Sequence, residues 1–267
     1  SRSAGFTGME KGRRFPETAA EMLPVLKKAD VTLCGGWYSG TLTIEDLATN
    51  QDRIMPMIEL FKAVKAPCIV YGEVGRSIQG DRSKPLATKA KLSGDEMKSY
   101  ARRMTEFGEW CAGQGMPLTY HHHMAAVVET EQELDSFMHH SGAGIPLLFD
   151  AGHMAFAGGD VLRVIDNYHS RITHVHTKDV RMDVIKGLDR SKESFLDAVY
   201  KGAFTVPGDG SLDFEAIVKK LAAYGYQGWF VVEAEQDPKK APPLKMAQIG
   251  ARELHRVLGA AGYEIVS

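Results

Sequence analysis

The sequence predicts an α/β protein of the (β/α)8 barrel class, a TIM barrel lacking its first strand in this chain. Short apolar runs alternate with longer amphipathic segments from one end to the other. Most runs are continuously apolar, as parallel strands buried on both faces are. The 267 residues suit a barrel of about 250. No composition shift marks a linker, so residues 1–267 read as a single domain.

The elements follow in order. Residues 1–5 read as the tail of a helix, because Ala4-Gly5-Phe6 is a helix stop followed at once by a strand. The first strand and most of its helix are therefore expected to be missing from this sequence. Strands are expected at residues 6–9, 31–34, 68–71, 117–121, 146–150, 172–176 and 229–233. Pro16 is placed to open the first complete helix. Ser93-Gly-Asp-Glu96 and Thr130-Glu-Gln-Glu133 are capping boxes, each followed by apolar residues at helical spacing. Phe214, Ile217, Val218 and Leu221 form another stripe, with Gly225 placed to end its helix, and Pro242-Pro243 opens the last one. Strand alternating with helix implies a parallel sheet with right-handed crossovers. Residues 177–212 show no strand, only a short helix around 192–200; so long a loop after a barrel strand reads as a lid or binding loop.

Charge and composition narrow the function. Lys plus Arg number 32 and Asp plus Glu 34, a balance with no footprint for nucleic acid or an anionic membrane. No apolar run approaches the roughly 20 residues of a membrane helix. The opening Ser1-Arg2-Ser3 carries no apolar signal segment. Cys34, Cys68 and Cys111 are widely spaced without a C-x-x-C, which fits a reduced, cytoplasmic setting. Of ten histidines, nine fall between His121 and His176, and clustered His is where metals and proton transfers are found.

Four strand ends carry metal-capable side chains: His121-His122-His123, Asp150 with His153, His174-Val-His176, and Glu233-Ala-Glu235. Side chains alternate along a strand, so His121 and His123 share a face and His122 points away. Singly, each is an ordinary polar group; four in sequence order are not. An inward set of His121, Asp150, His176 and Glu233 would bind one divalent cation through N and O, with His123 a rival for the first place. Such a set suits Mn, Co, Zn, Fe or Ni.

These residues resemble the xylose-isomerase-like barrel superfamily, which binds a divalent metal at four strand ends, commonly Glu, Asp, His and Glu. His121 stands where most relatives have Glu. Tyr71-Gly-Glu-Val-Gly-Arg-Ser-Ile-Gln-Gly80, Tyr120-His-His-His-Met124, His176-Thr-Lys-Asp-Val-Arg181, Phe204-Thr-Val-Pro-Gly-Asp-Gly210 and Glu233-Ala-Glu-Gln-Asp-Pro238 look like the myo-inosose-2 dehydratases, over nearly the whole chain. The resemblance implies removal of water from 2-keto-myo-inositol, Mn or Co as the metal, a stimulatory role for glutathione that no motif here carries, and an oligomer of the kind common in the superfamily.

Dehydration beside a ketone needs a polarised carbonyl, a base for the α-proton and an acid for the leaving hydroxyl. Glu233 is the favoured base, with Glu73 and His153 as rivals. His153 or Lys178 would serve as the acid. Lys178, Asp179 and Arg181 are expected to meet hydroxyls, as are His123 and Glu235; a solvated charge cluster is the competing reading for the first three. Glu73, Arg76 and Gln79 lie in a Gly-flanked loop suited to a polyol. Trp37 and Tyr38 would wall the site or fill the core. His139, His140, His169 and His255 read as surface residues. A ketose epimerase or isomerase with the same enolate chemistry, a metal-dependent abasic-site endonuclease and a non-catalytic sugar-binding barrel are the alternatives. The near-zero net charge argues against the endonuclease.

Overall fold

A computed structural model describes residues 1–266. Seven parallel strands form the main sheet: β1 (Gly8–Lys11), β2 (Thr32–Gly40), β3 (Ile69–Glu73), β4 (Leu118–His121), β5 (Leu147–Asp150), β6 (Ile172–His176) and β9 (Phe230–Val231). They pair in chain order, with β1 and β9 as the two edges. β3, β4 and β5 are buried along their whole length, which is why their sequences are mainly apolar up to the Glu73, His121 and Asp150 that end them. Between the two edges lies a groove of about 660 Å³, lined by Phe6, Trp229, Phe230, Leu254 and Tyr263 among others.

The helices that follow the strands are α1 (Ala19–Ala29), α2 (Leu47–Val64), α3 (Gly94–Gly113), α4 (Glu131–His140), α5 (Ala151–Ala157), α6 (Val161–Tyr168), α9 (Phe214–Ala223) and α10 (Pro243–Ala260). Neighbours pack in sequence, α1 on α2, α2 on α3, α3 on α4, α6 on α9 and α9 on α10. Both capping boxes form: Ser93 accepts from Glu96 N–H while the Glu96 carboxylate accepts from Ser93 N–H, and Thr130 and Glu133 do the same. Gly225 takes a left-handed φ of 73° just past α9.

Three expectations need correction. α1 opens at Ala19 with Thr18 as its cap, not at Pro16; Thr18 supplies the acceptor for Glu21 N–H that proline cannot. β2 runs on to Gly40 through the Gly35-Gly36 pair. The segment 177–212 is not strandless. It holds a two-stranded antiparallel ribbon, β7 (Asp179–Val180) with β8 (Phe204–Thr205), and two short helices, α7 (Met182–Lys186) and α8 (Phe195–Lys201). This flap has its own apolar cluster, in which Ile185, Phe195 and Phe204 meet Met124 and Phe156 over the strand ends.

Candidate active site and metal centre

His121, Asp150 and His176 are the last residues of β4, β5 and β6, and the ladder sets Asp150 directly beside His176. Asp150 also caps α5: its Oδ1 accepts from His153 N–H at 2.9 Å. That leaves Oδ2 facing His121 Nε2 at 3.3 Å, His176 Nδ1 at 3.4 Å and Lys178 Nζ at 3.7 Å. Glu233 follows β9, and its Oε2 lies 3.8 Å from His176 Nδ1. The structure brings His121 to this set, while His123 faces another: its Nε2 is 3.5 Å from Glu235 Oε1, and its ring lies 3.8 Å from that of His153.

Lys178 joins the two groups. Its ammonium is buried, 2.5 Å from Glu233 Oε2, 2.7 Å from His153 Nε2 and 3.5 Å from Glu235 Oε2. The Glu233 contact is close but not aligned as a hydrogen bond, so Oε2 remains a buried atom without a hydrogen-bond partner. The stem of Lys178 runs against Gly152, where a Cβ would stand 2.6 Å from Lys178 Cγ, and Phe204 of the flap covers Nζ at 5.0 Å. His153 faces a donor on each side, Met124 N–H at Nδ1 (3.3 Å) and Lys178 at Nε2. A neutral imidazole has one acceptor only, so the ammonium and the amide compete for it.

Burial and charge set the protonation states. Burial holds His121 down to about 3 against the hydrogen bond to Asp150, and pushes His153 well below the usual histidine range, helped by His123 and Lys178. Burial would also lower His176, but the Glu10 charge and the Asp150 contact outweigh it and raise the group to about 10. Lys178 is raised the same way by Glu233, Glu235 and Asp150. Burial would raise Asp150, yet Lys178 and His153 keep it well below the carboxylate range. Glu233 is raised, chiefly by burial and then by Glu235, whereas Lys178 and His123 overcome burial and bring Glu235 to about 2.

The donor set fits a divalent ion. His121, Asp150 and His176 offer ligand atoms within 4.8 Å of one another. His176 Nδ1 and Glu233 Oε2 are buried without hydrogen-bond partners beside them. The donors are nitrogen and oxygen without thiolate, which suits Mn, Co or Zn.

Other expected residues are placed elsewhere. Glu73 sits in a nest of its own, accepting from Tyr71 and Thr43 hydroxyls and from Gly75 N–H, all within 2.8 Å; its lone pairs are engaged there, so it does not join the ligand set as a base. Asp179 Oδ1 accepts from the amides of Val180, Ser211 and Leu212 and so pins the loop after β8, instead of facing the ligand set. Arg181 is spent on the flap, donating to the Gly202 and Phe204 carbonyls and to Thr205, and pairing with Asp209. Arg76 pairs with Glu96 on α3 at 2.9 Å, and Gln79 Oε1 is buried without a partner. Trp37 does reach the site, edge-on to His121 and His123 at 5.6 and 5.8 Å; a Cβ on Gly72 would collide with its ring. His122 points away, accepting from Asp150 N–H at 3.4 Å. One residue was missed. Glu10, near the end of β1, accepts from His174 Nε2 at 2.8 Å and His176 Nε2 at 2.9 Å through the same oxygen. The signal was available, a carboxylate immediately after an apolar run, as at Asp150.

Comparison with known proteins accords with this architecture. The family model for the xylose isomerase-like TIM barrel matches residues 1–257. Over 266 residues the chain is 40% identical to the rhizopine catabolism protein MocC of Rhizobium meliloti, covering all of this chain and 82% of that protein. It is 39% identical over 246 residues to an inosose dehydratase of Clostridium perfringens, covering 91% and 83%. The crystal structure of the IolI protein with a bound zinc atom superposes with a TM-score of 0.66 at 16% identity, covering 97% of this chain and 91% of that one, a likeness of fold alone. The chain belongs to the xylose isomerase-like TIM barrel family. Its likeness to inosose dehydratases, at 37–39% identity in several species, places it among that family's enzymes as a hydro-lyase.

Proposed function

We propose that this chain is a single-domain, metal-dependent hydro-lyase that converts 2-keto-myo-inositol (scyllo-inosose) to a trihydroxycyclohexane-1,2-dione in a reducing, cytoplasmic setting. One observation carries the reading: a ligand set (His121, Asp150, His176, Glu233) and a proton-transfer set (Lys178, His153, Glu235, His123) lie side by side and are joined through the Lys178 ammonium. The relatives named inosose dehydratases support the substrate, and the three cysteines, all free and buried, suit a reducing compartment.

His121, Asp150, His176 and Glu233 would hold a divalent ion, Mn or Co before Zn. When bound, it supplies Lewis-acid polarisation of the substrate ketone. Trp37 offers a flat wall for the ring, and His123 and Glu235 offer partners for its hydroxyls. Glu233, which burial raises above the usual carboxylate range, takes the α-proton. Lys178 gives a proton to the departing β-hydroxyl and recovers one through His153. A C–H and a C–O bond break, a C=C bond forms and water leaves; the resulting enol then tautomerises, its O–H proton replaced by a C–H, to the 1,2-dione.

Glu233→Gln tests the assignment. We expect kcat to fall by about 10²–10⁴-fold, with α-proton exchange against deuterium oxide lost and bound metal retained. Exchange that continues in this variant rules out Glu233 as the base. An epimerised or isomerised polyol in place of the dione, from the parent chain, would replace the dehydratase reading with that of an isomerase.

A further inference from the structure

Glu10 lies outside both sets above, yet its carboxylate binds the far nitrogen of one proposed ligand, His176. Its Oε1 accepts from His176 Nε2 at 2.9 Å and from His174 Nε2 at 2.8 Å. His174 is two residues before His176 on β6, almost wholly buried, and its Nδ1 lies 3.8 Å from Cys68 Sγ. Glu10 sits on the edge strand β1, which has no ladder bonds to β6. The carboxylate is therefore the direct tie between β1 and the ligand-bearing end of β6.

This contact has a consequence for His176. A neutral imidazole carries one N–H. When His176 is neutral, as a metal ligand must be, giving Nε2–H to Glu10 leaves the lone pair on Nδ1, which is buried, has no hydrogen-bond partner and faces Asp150 and Glu233 at 3.4 and 3.8 Å. Without Glu10, Nε2 would have no acceptor, and either tautomer or a flipped ring would serve equally. Glu10 is not itself placed as a ligand to the proposed ion: it stands on the Nε2 side of the ring, opposite the set.

We infer that Glu10 is a positioning residue, held by His174, that fixes His176 with Nδ1 towards the metal position. The inference rests on the metal reading above. Partners of this kind typically change metal affinity by about 10–100-fold.

The test is Mn(II) binding to the full chain, followed by the electron paramagnetic resonance of free Mn(II), for the parent, Glu10→Gln, Glu10→Ala and His174→Gln, with thermal melting of each metal-free protein alongside. We expect one ion per parent chain and affinity about 10-fold weaker in Glu10→Gln. Glu10→Ala should bind more weakly still, because glutamine keeps one acceptor and alanine none. His174→Gln, which can still donate to Glu10, should bind close to the parent. The order parent, Gln, Ala should hold in affinity even where melting temperatures coincide, which a merely structural role would not produce. Parent-like affinity in both Glu10 variants overturns the inference, as does a loss in His174→Gln equal to that in Glu10→Ala. Two ions in the parent with one lost in Glu10→Gln would make Glu10 a ligand and also overturn it. A parent that takes up no Mn(II) removes the metal reading itself, and the inference falls with it.

Discussion

The wall formed by β4, β5 and β6 and the seam between β9 and β1 are built differently. On the wall, each strand is hydrogen-bonded on both sides, and the ligand side chains are the strands' last residues, held by the ladder and by the start of α5. At the seam, β9 is two residues long and bonded only to β6, and Glu233 and Glu235 lie beyond its end, with about a third of each side chain exposed. Three of the four proposed ligands stand on the rigid side, and the fourth, Glu233, which is also proposed to move a proton, stands on the loosely held side. A preorganised site gains from rigid elements, whereas a group that must approach substrate, ligand and ammonium in turn gains from freedom.

The largest difference should appear at the wall. Asp150→Asn removes the charge that faces Lys178 and His176, leaving buried cations short of a partner. We expect about 3–5 kcal/mol of lost stability, read by urea denaturation of the metal-free protein. Little change would mean the wall is less dependent on this charge than its burial implies. Next, Phe149→Ala within β5 should cost about 3–5 kcal/mol, and Phe230→Ala at the seam about half that, since Phe230 is only partly buried. Equal costs would erase the contrast between the regions.

A subtler break is Gly152→Ala. The added methyl meets the stem of Lys178 and its carbonyl oxygen at 2.9 Å, so we expect about 1–3 kcal/mol of strain and a fall in kcat as Lys178 is displaced from His153. Unchanged kcat would detach Lys178 from catalysis. The smallest effect is one of pH. Without metal, His176 holds its proton up to about 10, so metal binding at pH 7–8 must release that proton and affinity must rise with pH. The same raised group stabilises the metal-free fold fully below the ordinary histidine pKa and loses that contribution as pH rises through about 10. Calorimetry in buffers of different ionisation heat reads the proton count; no release would contradict the assignment of His176 as ligand.

Much of this was legible in the sequence, for a physical reason. Strands buried on both faces are near-continuous apolar runs, so His121, Asp150 and His176 stood out at the ends of theirs. Glu10 carried the same signal but stands one residue before the end of a short, half-buried edge strand, whose run is weaker. The flap ribbon was invisible because two-residue strands show no period. Asp179, Arg181 and Glu73 were misplaced because residue type alone does not say whether a charge faces a cavity or a backbone amide. Choosing His121 over His123 required the turn after β4, which carries His123 towards Glu235.

The central claim is that the ligands on the wall hold an ion without which the seam carboxylate has no acidic proton to take. The direct measurement is dione formation from 2-keto-myo-inositol by the purified chain after metal depletion, then after addition of Mn(II) or Co(II). The account predicts loss of turnover on depletion and its return with either ion. Undiminished turnover by protein shown to be metal-free would contradict it.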